Sequence, residues 1–342
     1  MSARENIVPV FVPHAGCPHN CVFCNQHRIS GQDREATEET VREAIRQAEM
    51  LVTGDKKPQL AFYGGSFTAI PEEYQNSLLM AAKDALDKGS ISAIRLSTRP
   101  DAIDKNILCR LKTYGVETIE LGAQSLCDDV LNLSGRGHTA ENVRESARMI
   151  KEAGFHLIFQ MMTGLPGDTP ERSIDTAKEM IALKPDGVRI YPTVIVRDTA
   201  LFDLWEKGQY QEHTVEEAVS LCAQLVPLFE TAGIPIIRLG LNPTAELSTG
   251  GAAAGAYHPA LGELVRCRIF RNRAELLLKE KGVEEGSSIR LEVAPDRMSQ
   301  MVGKHRENIR FLQERFALSS VIVKSNSAFQ GNEIGFSVEK TD

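Results

Sequence analysis

Three cysteines fall within eight residues, Cys17, Cys21 and Cys24 in the run CPHNCVFC, a C-x3-C-x2-C triplet. Thiolates are preferred ligands of zinc and of iron–sulfur clusters, so this spacing points to metal-centred chemistry. A closed structural zinc site takes four ligands, typically as two CxxC-like pairs, and no second pair follows downstream. His14, His19 and His27 are near enough in sequence to supply a fourth ligand, so zinc stays open on spacing alone. The other reading is a [4Fe–4S] cluster on three thiolates, whose remaining iron is free to take a substrate or cofactor. Cys109, Cys127, Cys222 and Cys267 are isolated and read as small buried apolar residues.

The triplet must be held by the elements around it. It follows the apolar run 7–12, and further β-rich runs occur at 59–63, 91–97, 116–121, 155–162, 187–195 and 234–241. Short, nearly continuous apolar runs suit strands covered on both faces, as in a parallel sheet. Helical patterns fill the gaps at 37–51, 71–87, 101–113, 139–152, 170–183 and 215–231, with Gly115, Gly154 and Gly233 just past helix ends. Repeated βα units of this kind predict a barrel or an open doubly wound sheet. The pattern stops after Leu241, and the Gly/Ala-rich TGGAAAGAY (249–257) reads as a hinge or a loop closing the barrel end. The tail predicts a strand at 288–293, a helix at 297–316 and strands at 320–324 and 333–338, a small α+β appendage.

The 342 residues are 42% hydrophobic, enough for one large domain and a smaller one. No apolar run approaches the ~20 residues that span a bilayer, and no basic region leads into a long apolar stretch, so neither membrane segment nor signal peptide is expected. An odd cysteine count without an export signal argues for a reducing, cytoplasmic address. The net charge of −7 is a poor match to whole-surface nucleic-acid binding. It is unevenly spread: residues 265–342 hold 14 Lys+Arg against 11 Asp+Glu, a net of +3, which leaves −10 on residues 1–264.

The triplet behind a first strand, with Phe23 just before its last cysteine, resembles the signature of the radical S-adenosylmethionine (SAM) superfamily. AFYGGSFT (61–68), LSTRPD (96–101), IELGAQS (119–125), GRGHT (135–139), GLPGDTPE (164–171) and VRIYPT (188–193) occur in the same order as in its Elongator catalytic-subunit-like branch. The resemblance spans about residues 5–235. It implies an α/β fold, a partial (β/α)6 TIM-like barrel over 1–240, then a linker or barrel-closing segment (241–265) and the small α+β domain (266–342). It implies a [4Fe–4S] cluster on Cys17, Cys21 and Cys24 whose open iron chelates SAM, and a reducing electron donor. Reductive cleavage of SAM would give a 5′-deoxyadenosyl radical that abstracts hydrogen from substrate.

Ligands of such barrels lie at the carboxyl ends of the strands. Gly64, Gly65 and Ser66 are then expected to bring backbone against SAM's ammonium, and Arg136 to pair with its carboxylate. Thr98, Gln124, Ser125 and Gln160 are expected near the ribose hydroxyls and adenine, with the backbone of Phe23 close to the adenine. On the residues alone the glycine pair also reads as a tight turn, Arg136 as a surface arginine, and the polar residues as helix caps. No residue stands out as the catalytic group.

Too few residues follow Gly240 for the acetyltransferase domain of that branch, so no acetyl-CoA-dependent reaction is expected. Gly303, Lys304, His305 and Arg306 are faintly similar to the GxxG loop of KH-type RNA-binding domains, without the second glycine. Arg266, Arg268, Arg271, Arg273, Lys304, Arg306 and Arg310 form a candidate phosphate-facing patch. The expectation is a radical SAM enzyme acting on RNA, tRNA first. The alternatives are a radical SAM enzyme acting on a metabolite such as a tetrapyrrole, and a non-catalytic zinc or Fe–S protein.

Overall fold

The apolar runs become strands with little adjustment. The computed structural model describes residues 6–12, 17, 21–25, 35–51, 57–242, 244 and 247–339, so His14, His19 and His27 lie outside the described residues. Strands β1 (Ile7–Val12), β2 (Gln59–Gly64), β3 (Ala93–Thr98), β4 (Val116–Gln124), β5 (His156–Thr163) and β6 (Gly187–Pro192) each pair in parallel with the strand before. A short β7 (Val194–Val196) leaves the sheet, and β8 (Ile236–Leu239) completes it beside β6. The order β1-β2-β3-β4-β5-β6-β8 makes seven parallel strands, one more than the six of the expected barrel, curled into a half-barrel.

The crossovers carry helices α1 (Glu38–Leu51), α2 (Glu72–Asp87), α3 (Lys105–Thr113), α4 (Asp128–Leu133), α5 (Ala140–Glu152), α6 (Pro170–Ala182), α7 (Ala200–Glu206) and α8 (Val215–Thr231). Their starts follow from local chemistry. Asp104, Thr139, Thr169 and Thr199 each accept a backbone N–H of the first turn, and Thr139 forms a full capping box with Asn142. Val8, Val10, Leu60, Phe62, Ile94, Leu96, Ile119, Leu121, Leu157 and Phe159 are buried, the alternate-face core that a helix-covered sheet requires.

One expectation needed correction here. The run 187–195 is two strands, because Pro192 has no N–H for a ladder and Thr193 instead bonds Thr163 O through both its N–H (2.9 Å) and its hydroxyl (2.7 Å). Strand β7 then pairs antiparallel with β9 (Ala252–Gly255). The chain divides into two compact units, 1–214 with 227–257, and 215–226 with 258–342, so β9 falls in the same unit as the seven-stranded sheet.

The second unit contains α9 (Leu261–Lys281), β10 (Ser288–Val293), α10 (Met298–Val302), α11 (Glu307–Phe316), β11 (Ser320–Ser325) and β12 (Gly335–Glu339). Its sheet order is β11-β10-β12, with one parallel and one antiparallel pair, over a core of Phe270, Leu278, Ile289, Leu291, Met301 and Leu312. The single helix expected over 297–316 is broken at Gly303, whose φ of 76° and ψ of 164° cannot continue a helix. Asn308, 1% exposed, ties the break together by donating to the carbonyls of Cys267, Gln300 and Met301.

Candidate active site

The carboxyl ends of the strands surround a cavity of about 440 Å³, formed entirely by residues of the first unit. Cys17, Cys21 and Cys24 line it, as do Phe23, Gly64, Gly65, Ser66, Thr98, Gln124, Arg136 and Gln160. Residues separated by up to 143 positions thus meet in one chamber because parallel strands all end at the same edge of the sheet. Ser125 is the exception and stands apart from the other expected residues. It does not line the cavity; its hydroxyl accepts the Cys127 N–H (3.1 Å) and faces Thr176 in the packing of the following helices. The bulge in β4 between Leu121 and Gln124, and the left-handed Gln124 (φ 65°), turn the chain away at that point.

The cysteine loop is pinned on two sides. Val22 donates to Ser134 O (3.1 Å) and its carbonyl accepts from Leu201 (2.7 Å), while Cys24 N–H closes a turn on Cys21 O (3.1 Å). Arg136 Nη1 lies 3.2 Å from Cys21 Sγ, and Nη2 donates to Gly122 O at 2.7 Å. Burial pushes the Cys17 thiol up, the nearby Cys21 adds to this, and the Ser66 N–H, Arg99 and Arg136 oppose it. All seven cysteines are free thiols.

Gly64 ends β2 with a φ of 109°, and a Cβ there would sit 3.0 Å from Val12 O. Only glycine lets the two backbones approach so closely at the cavity edge. Ser66 and Thr98 hydroxyls bond each other (2.9 Å), and Ser66 Oγ also accepts the Arg99 N–H (3.2 Å). Gln124 Oε1, Arg136 Nε and Arg99 Nη1 are buried with no hydrogen-bond partner among the described residues. Buried polar atoms in proteins are nearly always satisfied, so orphans around one cavity mark groups awaiting a ligand.

Sequence reasoning missed the cavity floor. Glu120, 0% exposed, accepts from Tyr63 Oη (2.7 Å), Arg95 Nη1 (3.2 Å), Arg189 Nη2 (2.9 Å) and Gln160 Nε2 (3.2 Å), with Arg189 Nε 2.8 Å away. Gln160 is therefore committed to the floor, where it also bonds Ser97 (3.2 Å). Burial, followed by Glu120, drives the Tyr63 phenol far above its ordinary range, so it stays a donor. The signal was in plain view: Arg95, Glu120 and Arg189 are charges inside the apolar runs ISAIRLS, VETIEL and GVRIYP. A charge in a strand covered on both faces must be paired inside. His138 is a second missed group, 3% exposed, with burial and then Arg136 pushing its imidazole down to about 3.

The residues fit the implied group. Three thiols, an arginine beside one of them, and orphaned donors and an acceptor share the chamber. No three His, Cys, Asp or Glu among the described residues are arranged to hold a single metal ion. A cluster takes one thiolate per iron, so its cysteines stand farther apart than the ligands of one ion.

In the second unit the expected basic patch is thinned. Arg268 pairs with Glu216 (2.6 Å), Arg271 stacks on Phe311 with its Cζ 4.4 Å from the ring centroid, and Arg310 Nη2 bonds His305 O (3.2 Å). Arg273, Lys304 and Arg306 are exposed and make no ion pair among the described residues.

Two family models match the chain: the radical SAM superfamily over residues 11–180 and the radical SAM C-terminal domain over 185–271. The human Elongator complex protein 3 is 31% identical over 327 residues, 80% of this chain and 58% of that protein. The Saccharomyces cerevisiae Elongator complex protein 3 is 30% identical over 336 residues, 84% of this chain and 58% of that protein. The chain thus spans less than two thirds of the curated relatives it matches. In fold it is similar to an archaeal Elp3 from Methanocaldococcus infernus, with a TM-score of 0.61 at 22% identity over 83% of this chain and 65% of that one. Among the described residues no helix is long and apolar enough to cross a membrane. With the cysteine-lined chamber at the strand ends of a parallel half-barrel, these matches identify the chain as a member of the radical SAM superfamily, enzymes that use a [4Fe–4S] cluster and SAM, in the branch related to Elongator complex protein 3.

Proposed function

We propose that this chain is a radical SAM enzyme that modifies RNA, with Cys17, Cys21 and Cys24 as the ligands of its cluster. The observation that carries the reading is the meeting of the three thiols, Arg136 and the Gly64–Ser66 turn in one chamber. When bound, the reduced cluster with SAM supplies a 5′-deoxyadenosyl radical that abstracts a hydrogen atom from the substrate.

The chain's own part is binding, orientation and exclusion of water. Arg136, already anchored on Gly122 O and on Cys21, offers its orphaned Nε to the carboxylate of SAM, an interaction suited to a guanidinium. Gly64 gives an ammonium access to backbone carbonyls that a Cβ would block. Gln124 Oε1, buried and unpartnered, is positioned to accept a hydrogen bond from ribose or adenine, and Phe23 walls the same chamber. Ser66 and Thr98, bonded to each other, fix the turn rather than reach far into the cavity.

An RNA substrate, tRNA first, rests on the relation to Elongator complex protein 3 and on the unpaired Arg273, Lys304 and Arg306 of the net-positive tail. The test is mass analysis of tRNA nucleosides from cells lacking this protein. Loss of one modified nucleoside, restored by the wild-type gene but not by a Cys17/Cys21/Cys24 triple alanine variant, is the expected result. An unchanged nucleoside profile would redirect the search to a small metabolite.

A further inference from the structure

Arg238 of the half-barrel makes no ion pair among the described residues. Arg238 on β8 is the register partner of Arg189 on β6, and partners across parallel strands share a face. A bulge between Val188 and Arg189 shifts this register. Ile237 packs against Gly187, which lies on the same face as Arg189, so the bulge leaves both Ile237 and Arg238 turned inward. Like charges directly opposite one another destabilise a sheet, and a bulge that creates such a pair is a feature in search of a reason.

Among the described residues nothing neutralises the second charge. The two oxygens of Glu120 are saturated by Arg95, Arg189, Tyr63 and Gln160. The Arg238 guanidinium bonds only the carbonyls of Gly240 (3.0 Å) and Leu241 (3.0 Å), which leaves Nη1 outside those bonds. Tyr191, two residues after Arg189 on the same strand, is close to both arginines. It hydrogen-bonds Arg189, feels the charge of both, and lines the cavity with Arg189, Leu241 and Asn242. Burial lowers the affinity of Arg238 for its proton, Tyr191 opposes this and the charge of Arg189 adds to it. Arg189 and Tyr191 line the cavity and Arg238 stands opposite Arg189 on the next strand, so two guanidinium groups meet at this edge of a cleft whose low-dielectric walls concentrate anions.

We propose that the cavity floor binds an oxyanion, a carboxylate or phosphate of the substrate or of a co-substrate, between Arg238, Tyr191 and Arg189. The site goes beyond the binding of SAM, whose carboxylate is assigned to Arg136, and it does not require the cluster to be present.

The test is the unfolding midpoint of the anaerobically reconstituted protein titrated with acetate and, separately, inorganic phosphate, against chloride at equal ionic strength. A ligand that binds only the native state raises that midpoint in a saturable way. The expected result is saturable stabilisation by acetate or phosphate beyond that of chloride, with the apparent affinity reduced roughly ten-fold or more in Arg238→Gln. The stronger of the two anions names the source of the oxyanion. Tyr191→Phe, which keeps the ring, should weaken the effect as well and serves if Arg238→Gln does not fold. Stabilisation by neither anion, or an undiminished response in the variant that folds, overturns the proposal. SAM-induced stabilisation in the same variants should persist, which separates failure of this site from failure of the SAM reading.

Discussion

Glu120→Gln is the sharpest probe of the cavity floor. Oε1 receives Tyr63, Arg95 and Arg189, and Oε2 receives Gln160 and faces Arg189 Nε. A glutamine has the same shape but must place an NH2 group at one of those positions, donor against donor in either orientation. It also removes a negative charge shared by Arg95 and Arg189, whose side chains are 3% and 10% exposed. Removing one partner of a buried ion pair costs about 3–5 kcal/mol. Arg95 keeps Gln59 (2.9 Å) and Arg189 keeps the Tyr63 hydroxyl (2.9 Å), which places the loss near the lower end, about 3 kcal/mol. For a unit of this size that lowers the melting midpoint by roughly 6–12 °C. Trp205, the single tryptophan, lies in α7 of the same unit, so its fluorescence in a urea titration reports the relevant transition. The expected signature is a lower midpoint at unchanged slope. A loss of under about 1 kcal/mol would refute the idea that Glu120 is the fixed anion of the floor.

Three further outcomes are expected. Gly64→Ala must place a Cβ 3.0 Å from Val12 O at a φ of 109°, so it should lose about 1–3 kcal/mol of stability and weaken SAM binding; equal stability and binding in calorimetry would refute the close-approach role. Arg136→Gln should weaken SAM binding to the reconstituted protein by about 10–100-fold, the value of a charge-assisted bond, while an unchanged Kd would remove Arg136 from the carboxylate site. His138, pushed down to about 3 when folded, sits near 6.5 when unfolded, so the unfolded chain takes up its proton first. Its contribution is complete above about pH 6.5 and is lost as pH falls toward 3; His138→Leu should flatten stability against pH in that window, and an unaltered slope counts against a buried neutral imidazole.

The local elements and the ligand-bearing turn were legible in the residues. Apolar run length separated strands from helices, and the helices read at 139–152 and 170–183 start where the Thr139 and Thr169 side chains cap. Where the chain broke its own pattern, one residue decided: Pro192 ended a strand that hydropathy alone would extend, and Gly303 split a helix that periodicity alone would join. Ser125 had the composition of a ligand and the position of one, yet the left-handed Gln124 turned it to another neighbour. Backbone dihedrals of that kind are set by packing on both sides, not by the residue's own type.

By itself the sequence determined the triplet of thiols, the alternation that closes a parallel half-barrel, and the order of the turns at its rim, because these depend on residue type and on spacing along the chain. The tertiary structure alone decided which charges meet. Tyr63, Arg95, Glu120, Gln160 and Arg189 come from five successive strands, and Arg238 is brought opposite Arg189 by a bulge in a seventh. Their pairing depends on register across the sheet, and a single-residue slip would send each side chain to the other face.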